Sequence, residues 1–207
     1  MGEASYNPEL GISPTDCTAS THGDVDAFIA RYAFVGSEFA CQKVLAIGSD
    51  QRDQAHALAF DGEDAFVALT SGGNDQEAEP DDIGAQGTYV VTATNEAFVR
   101  SVQISTANNS NAMALALDGG SLGIAGRIDD HGFLQTMDAA TGALDVPPRS
   151  FSGNFNQARA LAIAGPRWFV GGVFEGTVDF DPTPPIAGDG GGGGSASETV
   201  KIGRAHV

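Results

Sequence analysis

Ala57-Leu58-Ala59-Phe60-Asp61-Gly62 decides how this chain is read, because the stretch returns twice. It reappears as Ala114-Leu115-Ala116-Leu117-Asp118-Gly119 and again as Ala160-Leu161-Ala162-Ile163-Ala164-Gly165. The copies lie 57 and then 46 residues apart. Three residues before each leucine stands an alanine (Ala55, Ala112, Ala158), and one position earlier an amide (Gln54, Asn111, Gln157). Nine residues after each leucine comes Val67, Ile124 or Val170. Agreement in so many columns marks an internal repeat, and a period of about 40–50 residues belongs to stacked supersecondary units.

Each copy reads as a β-hairpin. An apolar run meets a short turn with glycine at a fixed place, and a second apolar run follows over 65–69, 122–126 and 168–172. Asp-Gly and Gly-Pro suit such turns because glycine accepts positive φ and proline presets its own. The runs are apolar at consecutive positions, which predicts strands buried on both faces, as in sheets stacked face to face. Bulky residues (Leu58, Phe60) fall on one face and alanines (Ala57, Ala59) on the other. Two further strands precede each hairpin: 27–32 and 43–47, then 89–93 and 99–104, then 132–136 and 149–151. Four short strands per repeat predict an all-β chain of propeller-like, four-stranded antiparallel blades. About three periods fit, too few to close a ring, so the expectation is an open fragment. A β-sandwich is the rival fold, but it leaves the repeat unexplained.

The repeats resemble those of secreted bacterial β-propeller proteins of the seven-bladed type. The resemblance rests on Asp26-Ala27-Phe28-Ile29-Ala30-Arg31-Tyr32 as opening strand, on the hairpins, and on Gly176-Thr177-Val178-Asp179-Phe180-Asp181-Pro182 as closing segment. It implies export to the cell surface or medium and a role in interaction. The units it suggests are 20–87, 88–130 and 131–187, after the end of a preceding blade in 1–19. Residues 188–201 read as a Gly-rich linker and the start of another blade. Residues 202–207 resemble translated adapter DNA and read as a non-native tail.

Composition narrows the function classes. The formal net charge is −17, from 10 basic and 27 acidic residues. Such a surface repels phosphate backbones, so no nucleic-acid partner is expected. No apolar run reaches the roughly 18 residues of a membrane span, so no membrane insertion is expected. Cys17 and Cys41 allow two readings, a disulfide in an exported protein or two thiols in a cytosolic one.

Candidate chemistry is sparse. Asp179 and Asp181 flank Phe180, share one face of a strand and could bind Ca²⁺, a hard cation that prefers oxygen ligands. A turn-forming or solvated pair before Pro182 is the plainer alternative. The acidic run Asp75, Glu77, Glu79, Asp81 and Asp82 reads as a solvated loop. The glycines 190–194 lack the Lys-Ser or Lys-Thr ending of a phosphate-binding loop and read as linker. His22, His56 and His131 show no ligand spacing, and no Gly-x-Ser-x-Gly elbow occurs. The repeated amides Gln54, Asn111 and Gln157 are expected to satisfy backbone groups where strands begin. The reading is therefore a non-enzymatic exported module, a scaffold or a surface that recognises a protein or glycan partner. The alternatives are a propeller enzyme whose active site lies in other blades and a Ca²⁺-stabilised cell-surface module.

Overall fold

The computed structural model describes residues 17–21, 24–62, 64–74, 83, 85–94, 97–145, 148–153 and 155–180. Fourteen strands and no α-helix occur among them. A first hairpin pairs β1 (Ala27–Val35) with β2 (Glu38–Ile47). Sheet one follows in chain order: β3 (Asp53–Phe60), β4 (Ala65–Asn74), β5 (Ala85–Ala93) and β6 (Phe98–Ser105). Sheet two repeats it with β7 (Ser110–Asp118), β8 (Ser121–Ile128), β9 (His131–Asp138) and the short β10 (Arg149–Ser150). The third copy of the repeat is the hairpin β12 (Asn156–Ala164) with β13 (Arg167–Phe174). Beside it β11 (Ser152–Gly153) pairs with β14 (Val178–Asp179). All pairings between these strands are antiparallel, and the described sheets do not join into a closed barrel. The fold is all-β, an open stack of propeller-like blades.

The repeat survives in backbone detail. The turn glycines Gly62, Gly119 and Gly165 all have positive φ, at 108°, 55° and 59°, a region glycine enters at no steric cost. The register of each hairpin also slips once at the same place, between Ala55 and Ala57, Ala112 and Ala114, and Ala158 and Ala160. The extra residues His56, Met113 and Arg159 are β-bulges, which bend and twist a strand locally.

Sheets one and two each recruit the two strands behind their hairpin, whereas the sequence grouped the two ahead with it. The reason is the connection between β8 and β9. Asp129 and Asp130 alone join them, with Asp129 at φ 53°, so β9 must fold back along β8. Sequence unit and sheet are therefore out of phase by one hairpin.

Face packing follows a single rule. Ala57, Ala59, Phe66, Ala68 and Val90 of sheet one meet Leu115, Leu117, Leu122, Ile124 and Met137 of sheet two. Ala114 and Ala125, on the opposite face of sheet two, receive Leu161 of the third hairpin. At this second junction a Cβ on Gly123 would lie 2.8 Å from both Ile163 and Trp168, so glycine is what lets the Trp168 ring approach. An alanine-rich face thus takes the bulky face of the next repeat, twice. Across the first junction, Arg100 of β6 donates to the carbonyls of Ala139 (2.7 Å) and Ala140 (2.8 Å) beyond β9.

Burial on both faces holds for the middle of the stack and fails at its ends. Leu58 and Phe60 are 61% and 58% exposed, and Phe169 is 58% exposed. Their strands carry the repeat's apolar pattern, but no described sheet covers them there. Phe133, by contrast, is fully buried between sheets one and two. Phe133→Ala should cost about 3–5 kcal/mol in urea unfolding, and Val99→Ala, on an exposed position of β6, less than about 0.5 kcal/mol.

Candidate functional site

The first residue of each repeat's leading strand is polar and buried: Asp53, Ser110 and Asn156. Asp53 and Ser110 tie down the chain that enters their strand and Asn156 ties β12 to β9, because a buried polar group must find partners. The Ser110 hydroxyl donates to the carbonyl of Ala107 at 2.7 Å and lies 2.8 Å from the Thr88 hydroxyl. Asn156 Oδ1 accepts the Gly132 N–H. Asp53 Oδ2 accepts from both the backbone N–H (2.7 Å) and the hydroxyl (2.9 Å) of Ser49, and its own N–H donates to Val25 at 2.6 Å.

The amides singled out from the sequence lie one position away and do other things. Gln157 Oε1 accepts from Arg159 at 2.7 Å, Asn111 is half-buried and Gln54 is exposed. At 53 and 110 the residue ahead of the amide is the more buried of the two, whereas at 156 and 157 both side chains are buried. The signal was present in the sequence as a polar residue just ahead of each amide, at 53, 110 and 156.

Asp53 is the chemically distinctive member of the column. It is 1% exposed, and burial raises its pKa above the usual carboxylate value. Hydrogen bonds from Ser49 and Ser71 oppose the rise, and the charge of Asp26 adds to it. Its amide counterpart Asn156 shows that the position accepts a neutral side chain.

His56 stands on the first bulge, its Nε2 2.8 Å from the Thr70 hydroxyl, and burial lowers its pKa. It borders a groove of about 350 Å³ between β1 and sheet one, lined also by Phe28, Ile29, Tyr32, Leu58 and Val67. Cys17 and Cys41 are joined by a disulfide, Cα atoms 6.1 Å apart, which anchors β2 to the chain ahead of β1.

Of the Ca²⁺ pair, Asp179 is exposed on β14 opposite Ser152, and Asp181 lies outside the described residues. The acidic run from 75 to 82, the glycines 190–194 and His22 also lie outside them. His131 is exposed at the start of β9. Among the described residues no three His, Cys, Asp or Glu side chains gather as a metal site, and no helix is long and apolar enough to cross a membrane.

The titration of Asp53 has a signed consequence. Its folded pKa lies above the unfolded value of about 3.9, so the folded state binds the proton more tightly. Its contribution to stability is fully present below about pH 4 and is lost as pH rises through the raised value. Asp53→Asn should melt higher than the wild type at pH 7, with the gap shrinking towards pH 3.5; an equal gap at both pH values would refute the buried charge. Comparison with family models, curated proteins and solved structures returns no match, so what the chain does rests on this geometry alone.

Proposed function

We propose that the chain is a non-enzymatic, exported recognition module of the secreted bacterial propeller type, whose stacked blades hold a contact surface for a protein or glycan partner. The observation that carries this reading is the tip of the β1–β2 hairpin. Phe34 and Phe39 are directly paired across the strands, with ring centroids 5.2 Å apart. They are 65% and 76% exposed. Large rings side by side on a surface offer apolar area that a partner can cover, and a hydrogen-bonded hairpin lowers the ordering entropy of using them. Tyr32 and Phe28 extend the exposed aromatic surface along β1.

Export is supported by the disulfide between Cys17 and Cys41, since such bonds persist in oxidising compartments. It closes a loop of sequence separation 24 beside the aromatic tip. On the chain-entropy account that closure contributes about 3 kcal/mol.

Two measurements test the reading. Probed on arrays of glycans and of extracellular proteins, the labelled chain should bind a restricted set, and the double variant Phe34→Ala/Phe39→Ala should bind at least about tenfold more weakly, a loss of about 1.4 kcal/mol. Both rings are exposed, so the variant should melt with the wild type; unchanged binding would remove the aromatic tip from the contact. Reduction of the disulfide, or Cys41→Ser, should lower stability by about 3 kcal/mol in urea titrations with and without reductant.

A further inference from the structure

We propose that a second copy of this chain completes the half sheets at the two ends of the stack, β12–β13 of one copy joining β1–β2 of the other.

The strand order carries the argument. Sheets one and two each consist of a leading hairpin followed by two outer strands. In both, the second strand of the hairpin pairs with the third strand, β4 with β5 and β8 with β9. At one end of the stack stands the leading hairpin β12–β13, and among the described residues nothing pairs with the outer edge of β13. At the other end stands β1–β2, the counterpart of the outer strands, and among the described residues only β2 pairs along β1. Each half sheet is what the other lacks.

The faces agree with the edges. At both internal junctions an alanine-rich face receives the bulky face of the next repeat. The third hairpin leaves an alanine-rich face exposed: Ala160, Ala162, Phe169 and Gly171. Sheet one leaves part of a bulky face exposed at Leu58 and Phe60. The chain supplies its own controls. Phe66, which pairs with Ala59 as Phe169 pairs with Ala162, is fully buried where a sheet covers it. Leu115 and Leu161, in the column of Leu58, are half-buried where a sheet precedes them. The groove between β1 and Leu58 lies where the incoming hairpin would run, with the edge of β1 on one side and the bulky face on the other.

The contact is head to tail, using two different surfaces, and such contacts either close or extend without limit. Two copies bring four complete sheets and two completed ones, a count within the roughly four to eight blades at which propellers close.

Sedimentation velocity of the full chain between about 1 and 100 µM tests this, since mass action favours the dimer at the upper end. The expected species has twice the 21.1 kDa of the chain. Leu58→Lys and Phe169→Glu should each raise the dimer Kd at least about 100-fold. Both side chains are exposed in the single chain, so circular-dichroism melts of the two variants should match those of the monomeric wild type at low concentration. Mixed in equal amounts, the variants should dimerise again, because one junction then has both wild-type faces and the other sets the new lysine against the new glutamate. A chain that stays monomeric at about 100 µM, its edges covered by its own remaining residues or by nothing, overturns the proposal. So does a dimer that either substitution leaves intact, a mixture that stays monomeric, or growth beyond two copies.

Discussion

The structure depends on one packing relation: an alanine-rich face of one sheet against the bulky face of the next. Two β-sheets stack about 10 Å apart when ordinary side chains interdigitate. Here one side contributes methyl groups or less, as at Ala114, Ala125 and Gly123, and the other contributes Leu161, Ile163 and Trp168. The asymmetry gives each sheet a direction. A sheet with two bulky faces would leave voids between large side chains, and one with two small faces would bury too little apolar surface to offset the entropy of ordering its strands. Because every repeat carries one face of each kind, the relation extends from junction to junction, as it does in other arrays whose units contact only their neighbours.

The bulges and the buried polar column serve that relation. An extra residue at His56, Met113 and Arg159 falls in the same place in each leading strand. It shifts the alternation, so that Ala112 and Leu115 both reach the core between sheets one and two despite their odd separation. The polar residues at 53, 110 and 156 then fix where each leading strand begins, the first two by holding the preceding chain through Ser49 and Ala107 and the third by holding β9 through Gly132. Asp53 does this with a carboxyl whose charge is penalised by burial, where Asn156 does it with an amide. A column that tolerates Asp, Ser and Asn is selected for hydrogen bonding to backbone rather than for one particular charge.

Much of this was legible in the residues. The hairpins, their turn glycines and the two-faced pattern of Leu58 and Ala57 follow from local chemistry that needs no tertiary context. Which outer strands belong to which hairpin did not follow, since strands on either side satisfy the same period; the two-residue turn at Asp129 and Asp130 decided it. The polar anchors were displaced by one position because the amides beside them are the more conspicuous residues, while inward and outward orientation depends on the bulge between them and the turn. Of the candidate site little could be read. Leu58, Phe60 and Phe169 have the composition of core residues, and nothing local distinguishes a buried apolar strand from one at the end of a stack.

That last ambiguity is informative about the fold itself. In a repeat array the sequence of an end unit obeys the same pattern as an interior one unless it is specifically capped with a polar face. Among the described residues no polar face caps either end: Phe169 keeps the aromatic ring that Phe66 buries, and Leu58 keeps the leucine that Leu115 and Leu161 turn inward. Exposed apolar faces of this kind, beside strand edges that no described strand pairs, are the features that isolated soluble domains blunt with charge, proline or bulges placed against pairing. The charge of −17 is carried by the chain as a whole, yet Ala160, Ala162, Phe169 and Gly171 bring none of it to the open face. The same pattern that makes one sheet select the next therefore leaves the two ends of the stack shaped for each other.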